Sequence, residues 1–84
     1  MADDIKREVL AVIDEALGLQ GRARDFQLDT PLLGALPELD SMAVVGVLNL
    51  LEEHFAFVIG DDEIDGSTFA SVGALVAFVQ GKLA

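Results

Sequence analysis

Two apolar runs with helical spacing are separated by residues 19 to 40, in which Gly21, Pro31, Gly34 and Pro37 rule out a single continuous helix. Proline has no amide hydrogen to donate and its ring clashes with the preceding turn, while glycine loses the most conformational freedom on ordering. The chain must turn back through a long connection. Connections of this length in a small domain are functional or are packed by their own side chains, and Phe26, Leu28, Leu32, Leu33 and Leu36 are available for that packing.

The first run predicts a helix from about residue 3 to residue 17, with Ile5, Val9, Val12, Ile13 and Ala16 on one face. Asp3 and Asp4 suit the positive end of its dipole, and Gly18 its termination. The second run predicts a helix from residue 41 to about residue 54. At about 100° per residue, Val44, Val47, Leu48, Leu51 and Phe55 share the side expected to face the core. Met42, Ala43, Gly46, Asn49, Leu50 and Glu53 then face outward as a small, largely apolar surface. Phe57, Val58 and Ile59 return the chain to the core, and Gly60 opens an acidic segment, residues 61 to 66, that reads as a short helix or turn. Ser71 reads as the cap of a last helix with Val72, Leu75, Val76 and Val79 inward, Phe78 close to that face and Gly81 at its end. Alternation of the kind a strand needs is nowhere sustained. The expected fold is all-α: a small four-helix bundle, three main helices plus one short helix, with a long loop between helices 1 and 2. At 84 residues it is expected to be one domain spanning residues 1–84.

The chain has no Cys, which removes disulfides and structural zinc, so stability must come from helix packing. The N-terminal residues lack the basic and apolar regions of a signal peptide. The longest uncharged segment, residues 66 to 81, is interrupted by Gly, Ser, Thr and Gln and makes a poor membrane span. A cytoplasmic monomer with no membrane span is expected. All five basic residues, Lys6, Arg7, Arg22, Arg24 and Lys82, lie towards the ends of a chain of net charge -10. Nucleic acid is excluded as a partner because phosphate neutralisation needs clustered cations, and basic protein surfaces are favoured.

Catalytic chemistry finds no support. His54, the one histidine, is thirteen residues from Ser41 on the same predicted helix, a separation of about 20 Å that no hydrogen bond spans. Residues 61 to 66 resemble the opening of an EF-hand loop, but the position of its bidentate Glu falls on Val72, so no metal site is assigned. There remains Leu39-Asp40-Ser41-Met42, which puts a hydroxyl at the start of an apolar helix. Asp or Ser there is an ordinary helix cap. With no base in reach, Ser41 is easier to explain as an attachment point than as a catalyst.

In this setting Asp40-Ser41-Met42 resembles the attachment motif of the acyl carrier protein family. The similarity covers nearly the whole chain: the first helix, Asp29-Thr30-Pro31-Leu32-Leu33 in the loop, Leu51-Glu52-Glu53-His54-Phe55, Ile59 before an acidic turn, and residues 69 to 79 as the last helix. The resemblance implies that Ser41 receives 4'-phosphopantetheine from coenzyme A, added by a magnesium-dependent phosphopantetheinyl transferase, with Asp40 helping to place metal and substrate in that complex. The arm's thiol would carry an acyl group as a thioester, and the chain would turn over nothing itself. Most family members have Gly where this chain has Glu38, and the fatty-acid-synthesis members have acids where it has Ala43 and Gly46, while Glu52 and Glu53 are kept. Because those acids meet basic patches on partner enzymes, the resemblance implies a specialised carrier serving a dedicated acyl-activating ligase, acyltransferase or condensing enzyme. Its partner face would comprise Met42, Ala43, Gly46, Asn49, Leu50, Glu52 and Glu53. Two alternatives are a freestanding aminoacyl or D-alanyl carrier, and an acidic helical adaptor that binds through Met42 and Leu50 and leaves Ser41 unmodified.

Overall fold

The computed structural model describes residues 2–83. Three helices carry the fold, α1 (Ala2–Leu17), α2 (Ser41–Phe55) and α3 (Val72–Leu83), and α1 packs against both of the others. The core they enclose is built from Val9, Val12 and Ile13 of α1, Val47 and Leu51 of α2, and Val72, Leu75, Val76 and Val79 of α3. Leu19, Leu32, Leu39 and Phe69 fill it from the connections.

The end of α1 is fixed by its own chemistry. Gly18 takes a left-handed conformation (φ +64°), and the Leu19 amide returns to the Asp14 carbonyl at 3.0 Å, closing the helix while Leu19 is driven into the core. The Asp14 carboxylate then accepts the backbone amides of Gly21 at 2.9 Å and Ala23 at 3.2 Å, which holds a 3-10 turn over Arg22–Asp25 that the sequence pattern does not announce.

The long connection is strapped across the start of α3. Leu32 and Leu33 donate to the carbonyls of Ala70 (3.2 Å) and Phe69 (2.9 Å), and Val72 and Gly73 donate to Thr30 (3.0 Å) and Leu28 (2.7 Å). Phe26, Leu32 and Leu36 pack as expected, whereas the Leu28 and Leu33 side chains stay exposed.

Two expectations are corrected beyond α2. The expected short element takes its turn form, as single 3-10 turns over Asp61–Glu63 and Gly66–Phe69, but residues 69 to 71 precede the last helix instead of opening it. Nor does Gly81 end α3, which runs on to Leu83: Gly81 is not among the glycines with positive φ, and Lys82 Nζ in the last turn reaches back to Glu63 at 2.8 and 2.9 Å. Ser71 is the predicted cap, its Oγ accepting the Ala74 amide at 3.1 Å. Among the described residues no helix is long and apolar enough to cross a membrane.

Candidate functional site

Asp40 begins the site. Its backbone is extended (φ -104°, ψ -175°), its Oδ1 accepts the Ala43 amide at 2.8 Å, and its carbonyl accepts the Val44 amide at 2.9 Å. An Asp in this conformation stops the extended approach and starts the helix in one residue. The amides of Ser41 and Met42, ahead of the first intrahelical bonds, are left without partners in the helix. Ser41 is exposed at this end, and its hydroxyl makes no hydrogen bond among the described residues. A free hydroxyl beside two outward amides at the positive end of a helix dipole is suited to bear a phosphate diester.

The one histidine of the sequence is remote from it. His54 lies at the far end of α2, where its Nε2 meets Glu8 Oε1 on α1 at 3.0 Å and its ring packs edge-on to Phe55. Among the described residues no group of three or more acids, His or Cys is placed to hold a metal ion. Two carboxylates of the 61 to 66 segment, Glu63 and Asp65, are engaged locally. Glu63 is held below the ordinary carboxylate range by the Lys82 ammonium and the Gly60 amide, and Asp65 by the hydroxyl and amide of Ser67.

The outward face of α2 is rotated from the expected one. Val47 and Leu51 are fully buried, and Leu48 and Leu50 lie at about equal angles on either side of them, both half-buried against the core. Ala43 likewise packs on the core, and Gly46 is half-buried. The solvent side is instead Met42 (80% exposed), Val45 (55%), Asn49 and Glu53, continued past the helix by Val58 (79%). Leu50 and Ala43 are therefore half-buried on the flanks of α2 and not fully outward as expected. Val45 and Val58 are outward instead: the outward side of a helix with apolar residues almost all round is not marked by polarity. Glu52 Oε2 accepts the Ile59 amide at 2.7 Å and ties the returning chain to α2. Beside it a groove of about 350 Å³, lined by Val45, Leu48, Asn49, Glu52, Ile59, Gly60 and Ile64, runs between α2 and the 59 to 64 segment. A broader depression of about 820 Å³ lies against α1, among Lys6, Arg7, Leu10 and Arg24, and includes no residue of this site.

The exposed Ser41 hydroxyl at the capped start of α2 is placed to have a group attached to it, as in a carrier domain. The chain matches the family described as phosphopantetheine attachment site over residues 7–79. It is similar to a holo acyl carrier protein from Nitrosomonas europaea, known from a solution NMR structure, with 43% identity over 94% of each chain and a TM-score of 0.87. Among curated proteins none matches it. The chain belongs to the acyl carrier protein family: it is a carrier and not an enzyme, and its cofactor is covalently attached phosphopantetheine. Carriers of this kind work with a phosphopantetheinyl transferase and with acyl-handling enzymes.

Proposed function

We propose that Ser41 is the residue that carries the 4'-phosphopantetheine arm, and that the chain serves a specialised biosynthetic pathway in preference to general fatty-acid synthesis. The observation that carries the first part is the contrast among serines. Ser67 Oγ donates to Asp65 and Ser71 Oγ accepts the Ala74 amide, while Ser41 Oγ is exposed and unengaged beside two outward amides. In the attachment step Ser41 Oγ bonds to the pantetheine-bearing phosphorus of coenzyme A. The bond from that phosphorus to the bridging oxygen breaks, 3',5'-ADP leaves with the electron pair, and the serine proton passes to a base of the transferase. The attached arm supplies the thiol that a chain without Cys lacks. This chain's own contribution is to hold Ser41 at a helix start, with Asp40 as cap and Asp40 Oδ2 available to the transferase's magnesium.

Support for the second part comes from the solvent side of α2. Met42, Val45 and Val58 are exposed and apolar, and no acid stands at position 43 or 46. Such a face fits a partner enzyme less basic than those that read acids at these positions.

Intact mass after incubation with coenzyme A and a broad-specificity transferase tests the attachment: the wild type gains the arm, and Ser41→Ala folds but gains nothing. Modification on Ser67 or Ser71 refutes it. Loading assays with acyl and aminoacyl ligases then separate an acyl carrier from an aminoacyl carrier. Gly46→Glu adds an acid on the helix flank, and it should improve use by fatty-acid enzymes and weaken use by the native partner.

A further inference from the structure

Arg22 and Glu38, sixteen residues apart, are joined by an ion pair in which Arg22 Nη2 donates to Glu38 Oε2. Arg22 is itself held. Its backbone amide and its Nε both donate to the Leu19 carbonyl at 3.2 Å, and the turn it occupies is stapled to α1 by the Asp14 carboxylate. Glu38 follows Pro37, whose ring fixes φ, and precedes Leu39, which is buried in the core and whose amide bonds the Leu36 carbonyl at 3.0 Å. The other carboxylate oxygen, Glu38 Oε1, is shielded from solvent and has no hydrogen-bond partner among the described residues. A carboxylate in that state is kept in place by the partner on its second oxygen. With side chains 61% and 33% exposed, the pair contributes little to global stability, so its effect is local, two residues ahead of the Asp40 cap.

We propose that the Arg22–Glu38 pair is a clasp that fixes the backbone leading into Asp40 and Ser41, which makes both of them positioning residues for the transfer onto Ser41. The inference rests on the Ser41 reading given above. With the clasp closed, Leu39 stays seated and Asp40 keeps its capping conformation, so the transferase meets a hydroxyl already in place. Without it, part of the binding free energy goes to ordering the approach. A rival role for Glu38, direct contact with a basic transferase, predicts the opposite sign at Arg22. Removing a cation from so acidic a chain would speed that encounter, whereas opening the clasp slows modification.

The test uses the apo chain as wild type, Arg22→Gln, Glu38→Gln, the double variant, and the charge swap Arg22→Glu with Glu38→Arg. One readout is kcat/KM for modification with coenzyme A and a transferase. The other is hydrogen exchange at the amides of Leu39 and Ala43, which needs no transferase. Each single variant should lose roughly three- to tenfold in kcat/KM, mainly through KM, with the double variant losing no more and the swap recovering most of it. Exchange at both amides should accelerate in the single variants while the unfolding midpoint hardly moves. Modification of Arg22→Gln at the wild-type rate or faster, or unchanged exchange at Leu39 and Ala43, overturns the clasp. If wild-type Ser41 gains no mass, the attachment reading fails by itself and the exchange measurement alone decides the clasp.

Discussion

The amide of Gly73 donates to the carbonyl of Leu28 at 2.7 Å, and a Cβ built on Gly73 would sit 2.9 Å from that same oxygen. The strap between the long loop and α3 depends on a residue with no side chain. The obstructing atom is backbone, which cannot swing aside as a flexible side chain does. Gly73→Ala should therefore destabilise the protein by about 1 to 3 kcal/mol, the usual range for overpacking. In urea denaturation the midpoint should fall, with the loop amides of Leu32 and Leu33 losing exchange protection.

Two other backbone positions call for the reverse changes. Gly46 lies inside α2, where a methyl group added to its Cα would meet nothing within 4 Å, and Ala56 closes α2 in a left-handed conformation (φ +58°). Gly46→Ala and Ala56→Gly should each stabilise by about 1 kcal/mol, the first through helix propensity and the second by relieving a Cβ clash. Thermal melts check both, and a drop in either rejects its assignment.

The rotation of α2 has a quantitative consequence. Leu51→Ala should cost about 2 to 5 kcal/mol as a large-to-small change in a closed core. Leu48→Ala and Leu50→Ala, both half-buried, should cost less than Leu51→Ala and about the same as each other, and Val45→Ala should lie within about 0.5 kcal/mol of wild type. A Leu50→Ala cost indistinguishable from that of Val45→Ala would return Leu50 to the solvent side.

Acid should erase the contribution of the Glu63–Lys82 pair. Lys82 first, and then the Gly60 amide, hold the Glu63 carboxyl below its ordinary value of 4.5. A folded-state value lower than the unfolded one gives stability that is complete above the unfolded value and lost as the pH falls through the folded one. Glu63→Gln should thus be destabilising at pH 7, with the gap to wild type narrowing as the pH drops below about 4.5 and closing in stronger acid. Denaturation midpoints of the two proteins across that range measure it.

What the sequence made legible follows the contrast in polarity. α1 sets Val9, Val12 and Ile13 against Asp4, Arg7, Glu8 and Glu15, so its buried face could be read directly. α2 carries Val44, Val45, Val47, Leu48, Leu50 and Leu51 on nearly every side, and its phase was set by packing that spacing alone does not encode. Asp40 and Ser41 were legible because a cap is a local device. The strap to α3 and the turn at Arg22–Asp25 were not, since most of their bonds run between backbone groups that every residue has. Glu38 stood out in the sequence as a departure from its family, but its partner sixteen residues back emerges only from the fold.

The strap also sets a clock. Its hydrogen bonds join residues 28 to 33 with residues 69 to 73, about forty positions later in the chain. Contacts this far apart in sequence form only after the entropy of closing the intervening loop has been met, so the strap belongs to the later steps of folding. A chain truncated near residue 65 has the serine but lacks the backbone partners of Leu28, Thr30, Leu32 and Leu33. The loop that leads to Ser41 is therefore not tied down until the start of the last helix is in place.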